Sequence, residues 1–229
     1  MVIDIGVYGS DQKSLDSFVE MARKLGFTGF ATHNVEGGPD QQLQDGFSIL
    51  KRVDFSVRGV KALRKQVDSI RKHVMIVSVK LASVETANWA AGDQRVDLLV
   101  LDPSKEKKFR QTTARLAASS NTALEVKFEP LLHMVGLNRS KVIKSYRESI
   151  RTAIDAGMQV ILSSGAKNPL HMRSPMAMRF IGELLGMEAK YAENAIMHKP
   201  IEMIERNRER FASNHVVEGL KILRKEDEK

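Results

Sequence analysis

Val160-Ile161-Leu162-Ser163-Ser164-Gly165-Ala166 is an apolar run that stops abruptly on two serines and a glycine. The loop Lys167-Asn168-Pro169-Leu170-His171-Met172-Arg173 follows. It closes on Ser174-Pro175, an N-cap and first-turn proline for the apolar segment beyond. A buried strand that delivers hydroxyls, a flexible backbone and cations to the start of a helix is one way α/β proteins build an anion site. Phosphate is therefore the first ligand to consider. The planar fork of Arg173 suits phosphate oxygens, and Ser163 and Ser164 either hold the anion or tie down the loop.

The same strand-then-helix unit recurs on both sides of this stretch. Strand signals fall at residues 2–5, 27–32, 47–56, 74–81, 98–101, 123–128 and 159–162. Helical spacing of apolar residues falls at 15–25, 60–72, 87–91, 109–119, 142–154 and 176–185, with Gly26, Gly157 and Gly186 where helices stop. Residues 188–211 are also largely helical, with Pro200 at a helix start. The polar stretch around Gly37-Gly38-Pro39-Asp40 reads as a loop. Alternating units whose strands are apolar on both faces imply a parallel sheet covered by helices. Seven such strands spread over most of the chain fit an α/β, TIM-like (β/α) barrel of seven or eight parallel strands with extra C-terminal helices. Gly6-Val7-Tyr8-Gly9 lacks the glycine spacing of a dinucleotide-binding turn, which weakens the doubly wound alternative. No linker divides the chain, so residues 1–223 are expected to form one domain and the charged residues 224–229 a frayed tail.

The composition narrows the partner. The chain of 229 residues is 42% hydrophobic, carries a formal charge of +8 and has a pI near 9.7. That balance points to an acidic partner, nucleic acid before a small anionic substrate. The charge is polarised. Residues 51–72 hold eight basic side chains against Asp54 and Asp68, whereas residues 1–50 hold three against seven acids. Further clusters are Lys105/Lys107/Lys108/Arg110 and Arg139/Lys141/Lys144/Arg147/Arg151. The absence of cysteine excludes disulfides, thiolate zinc sites and cysteine nucleophiles. No segment reads as a secretory signal or a membrane span, so a cytoplasmic protein without a membrane partner is expected.

Catalytic patterns are thin. No histidines fall at His-x-His or His-x-x-x-His spacing, although Asp4, His33 and Glu129 could still meet over the barrel mouth. Ser163 and Ser164 lack the nucleophile elbow. Glu125 and Glu129 share a strand face, with only one near the mouth. The cations are the better candidates. Lys80 and Lys127 end strands, where a barrel exposes side chains at its rim. Lys51 and Arg52 are adjacent in the third strand, so one points outward and the other into the barrel, where it needs a partner such as Asp4. The candidate phosphate-binding set is thus Lys51, Arg52, Lys80, Lys127, Ser163, Ser164, Lys167 and Arg173, with no catalytic residue and no metal ligand. No aromatic run is available to stack single-stranded bases, so backbone and shape are the features to be recognised.

The segment from Val160 to Pro175 closely resembles the signature of the ribonuclease P protein component 3 family, the archaeal counterpart of the thirty-kilodalton subunit of the eukaryotic enzyme. Supporting matches run in order: Asp4, Gly26-Phe27, Ala31, His33-Asn34, Ile49-Leu50-Lys51-Arg52-Val53, Asp97-Leu98-Leu99, Met178, Leu184-Leu185-Gly186-Met187 and the stretch 192–207. The resemblance implies a barrel similar to the polymerase-and-histidinol-phosphatase fold with its metal site lost. Asp4-Ile5-Gly6 stands where that group carries His-x-His. It further implies a subunit of the ribonucleoprotein endonuclease that removes 5′ leaders from precursor tRNA. There the ribonuclease P RNA performs a magnesium-dependent hydrolysis and the protein itself binds no cofactor. The implied protein partner is component 2, in a two-plus-two complex that helps the RNA fold. The rival reading is a stand-alone metal-dependent phosphoesterase. A third is a scaffold that touches component 2 alone.

Overall fold

The structure is a computed structural model that describes residues 1–9, 11–33, 35–103, 109–211, 215–217 and 220–221. Its elements are β1 (Ile3–Val7), α1 (Gln12–Lys24), β2 (Gly29–Thr32), β3 (Asp40–Gln42), β4 (Ser48–Phe55) and α2 (Val60–Ile70). Next come β5 (Ile76–Lys80), α3 (Val84–Gly92), β6 (Leu98–Val100), α4 (Gln111–Ser119), β7 (Ala123–Lys127), α5 (Glu129–His133), α6 (Gly136–Asp155) and β8 (Val160–Ser163). The helices α7 (Pro175–Leu184), α8 (Ala189–Met197) and α9 (Lys199–Glu209) follow, and then the short strands β9 (His215–Val217) and β10 (Leu220–Lys221). Single 3₁₀ turns occupy Arg71–His73 and Pro169–His171.

Seven strands run parallel in the order β1-β2-β4-β5-β6-β7-β8. The circle closes where Val7 bridges Ala166 in parallel and the Tyr8 amide donates to the Ala166 carbonyl at 2.8 Å. This is the expected TIM-like barrel with additional C-terminal helices. The local signals act as the residues dictate. Ser174 accepts a hydrogen bond from the Ala177 amide and Pro175 opens α7. Asp11 caps α1 by accepting from the Ser14 amide at 2.8 Å, and α1 buries Leu15, Phe18, Val19 and Ala22 against the sheet.

The short helix α5, which Glu129 opens instead of sharing a strand face with Glu125, and the strands β3, β9 and β10 depart from the sequence expectation, and β3 is the most informative of them. The polar stretch around Gly37 is a loop, but the chain then pairs as β3, antiparallel to β4, from Asp40 to Gln42. The reason lies in the length of β4. Its second half, Arg52–Phe55, pairs with β5, whereas one edge of its first half has no parallel neighbour. Unpaired strand edges are costly to bury, and β3 covers this one.

Strand alternation sorts the side chains into two cores. The larger lies between sheet and helices. The smaller fills the barrel with Ile3, Ile5, Leu50, Ile76, Leu98 and Ile161, and Met203 and Ile204 of α9 pack into it. Helix α9 therefore closes the end of the barrel where the strands begin. Asn207 donates to the Met75 carbonyl at 3.0 Å and to Asp97 at 2.9 Å, and Arg206 donates to the Asn121 carbonyl at 3.1 Å. All three acceptors sit just ahead of a strand. Asp97 also accepts from Arg71 at 2.7 Å, Arg206 at 3.3 Å and the Val77 amide at 2.8 Å. Among the described residues, no helix is long and apolar enough to cross a membrane.

Candidate nucleic-acid interface at the barrel mouth

The opposite end, where the strands finish, holds a charged network centred on Arg52. Leu50 and Arg52 face inward from β4, and Ile49, Lys51 and Val53 face out. The Arg52 side chain is 0% exposed. Its guanidinium grips Glu125 with two nitrogens, donates to Asp54 Oδ1 at 2.7 Å, to the Ile5 carbonyl at 2.5 Å and to Ser78 Oγ at 3.2 Å. Asp4, the partner suggested by the sequence, does not contact it. Asp4 Oδ1 instead accepts from the Gly6 and Ser164 amides, each at 3.1 Å, across the seam between β1 and β8.

Lys127, at the end of β7, leans into the same network. Its ammonium donates to Tyr8 Oη and to Asp54 Oδ2 at 3.2 Å, and lies 3.8 Å from Glu125. Tyr8 Oη donates to Asp54 Oδ2 at 2.8 Å, and the Tyr8 ring lies against His33 with centroids 4.8 Å apart. Ser163 Oγ donates to Glu125 Oε1 at 2.6 Å. Gly6 is required here, since a Cβ at that position would lie 2.6 Å from Ser163 Oγ and 2.9 Å from Glu125 Oε1.

The electrostatics follow from burial and pairing. Burial raises the Glu125 and Asp54 carboxyls, but Arg52 and Lys127, joined at Asp54 by His33 at 3.5 Å, more than reverse it and leave both below the usual carboxylate range. Burial pulls the Lys127 ammonium down, against the opposing pull of Glu125 and Asp54. Arg52 moves up, because Glu125 and Asp54 outweigh its own desolvation. Two cations thus meet two carboxylates in a closed, neutral set. Asp4 differs, as burial raises its carboxyl despite the hydrogen bonds from Ser164 and Gly6. Its second oxygen, Oδ2, is buried without a hydrogen-bond partner among the described residues.

The structure divides the eight candidate residues. Arg52, Lys127 and Ser163 belong to the internal network. Ser164 is also buried: its hydroxyl donates to the Gly6 carbonyl at 3.4 Å and accepts from the Ala166 amide at 3.1 Å. These four point into the barrel or its seam rather than onto the rim, because alternation along short strands fixes their direction. Lys51 is half-buried on the outer wall. Arg173 is half-buried and braces its loop by donating to the carbonyls of Leu170 at 3.0 Å and Met172 at 2.7 Å. Lys167 is exposed beside Glu129 at 2.9 Å. Lys80 is exposed at the end of β5. Phe55 pairs with Val79, so the loop carrying exposed Arg58 stands beside Lys80 on the rim. Of the cluster Lys105/Lys107/Lys108/Arg110, only Arg110 falls within the described residues, and it is exposed. Asn34 and the tail 224–229 also fall outside them.

Tyr8 and Glu125 are the residues that the sequence reading missed as parts of the mouth. A usable signal existed: Arg52 and Glu125 are inward-facing charges on different strands of one small barrel, and such charges require each other. The set Asp4, His33 and Glu129 does not assemble, since each turns to different partners. Among the described residues no group of three His, Asp or Glu is placed to hold a metal ion.

Comparison with known proteins gives a consistent picture. Residues 1–212 match the family model described as RNase P subunit p30. The chain is 28% identical to ribonuclease P protein component 3 of Methanosarcina barkeri, covering 94% of this chain and 92% of that protein. It is 26% identical to the protein of the same name from Methanosarcina acetivorans, over 91% of this chain and 89% of the relative. A chain in a cryo-EM structure of archaeal ribonuclease P with mature tRNA shares the fold with a TM-score of 0.81 at 20% identity, covering 98% of this chain and all of that one.

Proposed function

Because the chain belongs to the RNase P subunit p30 family and is a protein subunit of ribonuclease P, we propose that it acts as a helper of the catalytic RNA. In this reading it works in the cytoplasm on precursor tRNA. Exposed cations at and around the rim neutralise phosphates of the ribonuclease P RNA and help it fold. The RNA, with its own magnesium, performs the hydrolysis that removes the 5′ leader, and the chain assembles with component 2 in a two-plus-two complex.

One observation carries this reading: the charged groups inside the mouth are closed upon one another, whereas Arg58, Lys61, Lys65 and Lys80 stand exposed along α2 and at the strand ends beside it. Helix α2 carries two of them, and the strands flanking it, β4 and β5, are hydrogen-bonded neighbours. A stripe of solvated cations beside an internally neutral mouth suits a polyanion lying across the surface better than a small substrate entering the barrel.

The test is binding of the ribonuclease P RNA across a salt series. Wild type should lose affinity steeply as salt rises. Arg58→Ala with Lys80→Ala should reduce the slope of log affinity against log salt by about one for each phosphate no longer neutralised. A flat dependence for the wild type overturns the proposal. So does turnover of a simple phosphate ester by the purified chain with manganese or zinc, which is the outcome the stand-alone phosphoesterase requires.

A further inference from the structure

Six of the ten large hydrophobic side chains that are exposed among the described residues gather in one region: Val135, Leu137, Leu170, Met176, Phe180 and Leu184. Met176, Phe180 and Leu184 are spaced four apart along α7, so they form one stripe down a helix face. Their exposures of 68%, 52% and 54% leave much of each side chain in water. Leu170 precedes α7 and is 72% exposed. His171 beside it meets His133 with ring centroids 4.5 Å apart, which brings up the start of α6 with Val135 and Leu137. At the far end of the stripe Arg147 donates to the Leu184 carbonyl at 2.7 Å. A groove of about 400 Å³ runs there, lined by Ser140, Ile143, Lys144, Arg147, Glu148 and Leu184. Single exposed apolar residues are ordinary, but a contiguous strip of this kind marks an interaction surface.

We propose that the α7 stripe and the groove beside α6 dock another protein subunit of the same particle, through an apolar strip bordered by carboxylates. The charge of the surroundings selects that chemistry. Helix α6 carries Arg139, Lys141, Lys144, Arg147 and Arg151; Glu148 and Asp155 pair with Lys144 and Arg151, and the charges of Arg139, Lys141 and Arg147 are left to make the border of the groove basic. RNA would satisfy those cations but would leave Met176, Phe180 and Leu184 without apolar contacts, whereas an acidic-rimmed protein face satisfies both. The inference rests on the reading of the chain as a subunit of a multicomponent ribonucleoprotein. It adds a face separate from the rim cations assigned to RNA.

The experiment places the photo-crosslinker p-benzoylphenylalanine at position 180 of the full chain and assembles the particle from its RNA and all its protein subunits. Irradiation should join position 180 to a different protein subunit, at a segment where apolar residues are flanked by Asp or Glu. An adduct to RNA, an adduct to a second copy of this chain, or no adduct in the assembled particle overturns the proposal. A parallel crosslinker at position 80 reports on the RNA reading alone. Its failure to reach RNA would defeat that reading while leaving the result at position 180 to stand. As a second arm, Met176→Glu with Phe180→Glu should weaken incorporation about 100-fold, the scale of losing two central anchors. Both side chains are solvent-exposed, so the circular dichroism spectrum should be unchanged. Undiminished incorporation overturns the proposal.

Discussion

The two ends of the barrel hold ionic clusters of opposite polarity. At the mouth a cation, Arg52, lies at the centre and carboxylates surround it. At the floor a carboxylate, Asp97, lies at the centre and is held by Arg71 and Arg206. They also differ in access to water. Arg52 and Glu125 are both 0% exposed, while the floor arginines retain 10% and 22%. At the mouth the central pair, Arg52 and Glu125, depends wholly on protein partners, and only the flanking Asp54 and Lys127 reach water. At the floor the central carboxylate is buried but the cations keep part of their hydration. The first arrangement fixes geometry at the risk of a large penalty if broken, and the second clamps a helix with less at stake.

The largest effect should come from Glu125→Ala. It leaves Arg52 desolvated beside Asp54 alone, and removal of one partner of a buried pair costs about 3–5 kcal/mol. Urea unfolding measures this, and a loss under 1 kcal/mol would mean that water reaches the mouth. Asp97→Asn should cost less, about 1–3 kcal/mol, because Arg71 and Arg206 can turn to solvent when the charge is removed. A cost at the floor equal to that at the mouth would break the contrast.

Asp4→Asn should give the smallest effect and one that depends on pH. Burial raises the Asp4 carboxyl above its unfolded value, so its contribution to stability is full in acid and is lost as pH rises through the folded pKa. The amide mimics the protonated acid and keeps an acceptor for the Gly6 and Ser164 amides. The variant should therefore match wild type near pH 4 and exceed it slightly at pH 7 in thermal unfolding. Glu125 and Asp54 run the other way, since their lowered carboxyls stabilise the fold above the unfolded carboxylate range and lose that contribution in strong acid.

Much of the fold was legible because its signals are local. Most parallel strands are short apolar runs, and Gly26, Gly157, Gly186, Ser174 and Pro175 mark helix ends through chemistry confined to one turn. Strand β3 was not legible, since Asp40-Gln41-Gln42 has no strand character of its own and pairs to cover an edge that exists only once β4 and β5 are in register. The mouth was half legible. Alternation showed that one of Lys51 and Arg52 must face inward, but the partner was sought on β1 and found on β7, 73 residues away. Charge density located the cations without showing which of them the interior consumes. The α7 stripe was hidden for a related reason. Met176, Phe180 and Leu184 read as core in a linear pattern, and only the packing of α7 against α8 and the sheet shows which face is left over.

The placement of α9 sets a limit on how the molecule can be made. The residues that plug the barrel, Met203 and Ile204, and the one that ties down the ends of two strand approaches, Asn207, come after every barrel strand. A nascent chain halted before them would carry all seven parallel strands and still expose Ile3, Leu50 and Ile161 through an open base. The ribosome must release the chain through α9 before the interior is sealed, so the base of the barrel closes only after its seventh parallel strand has already emerged.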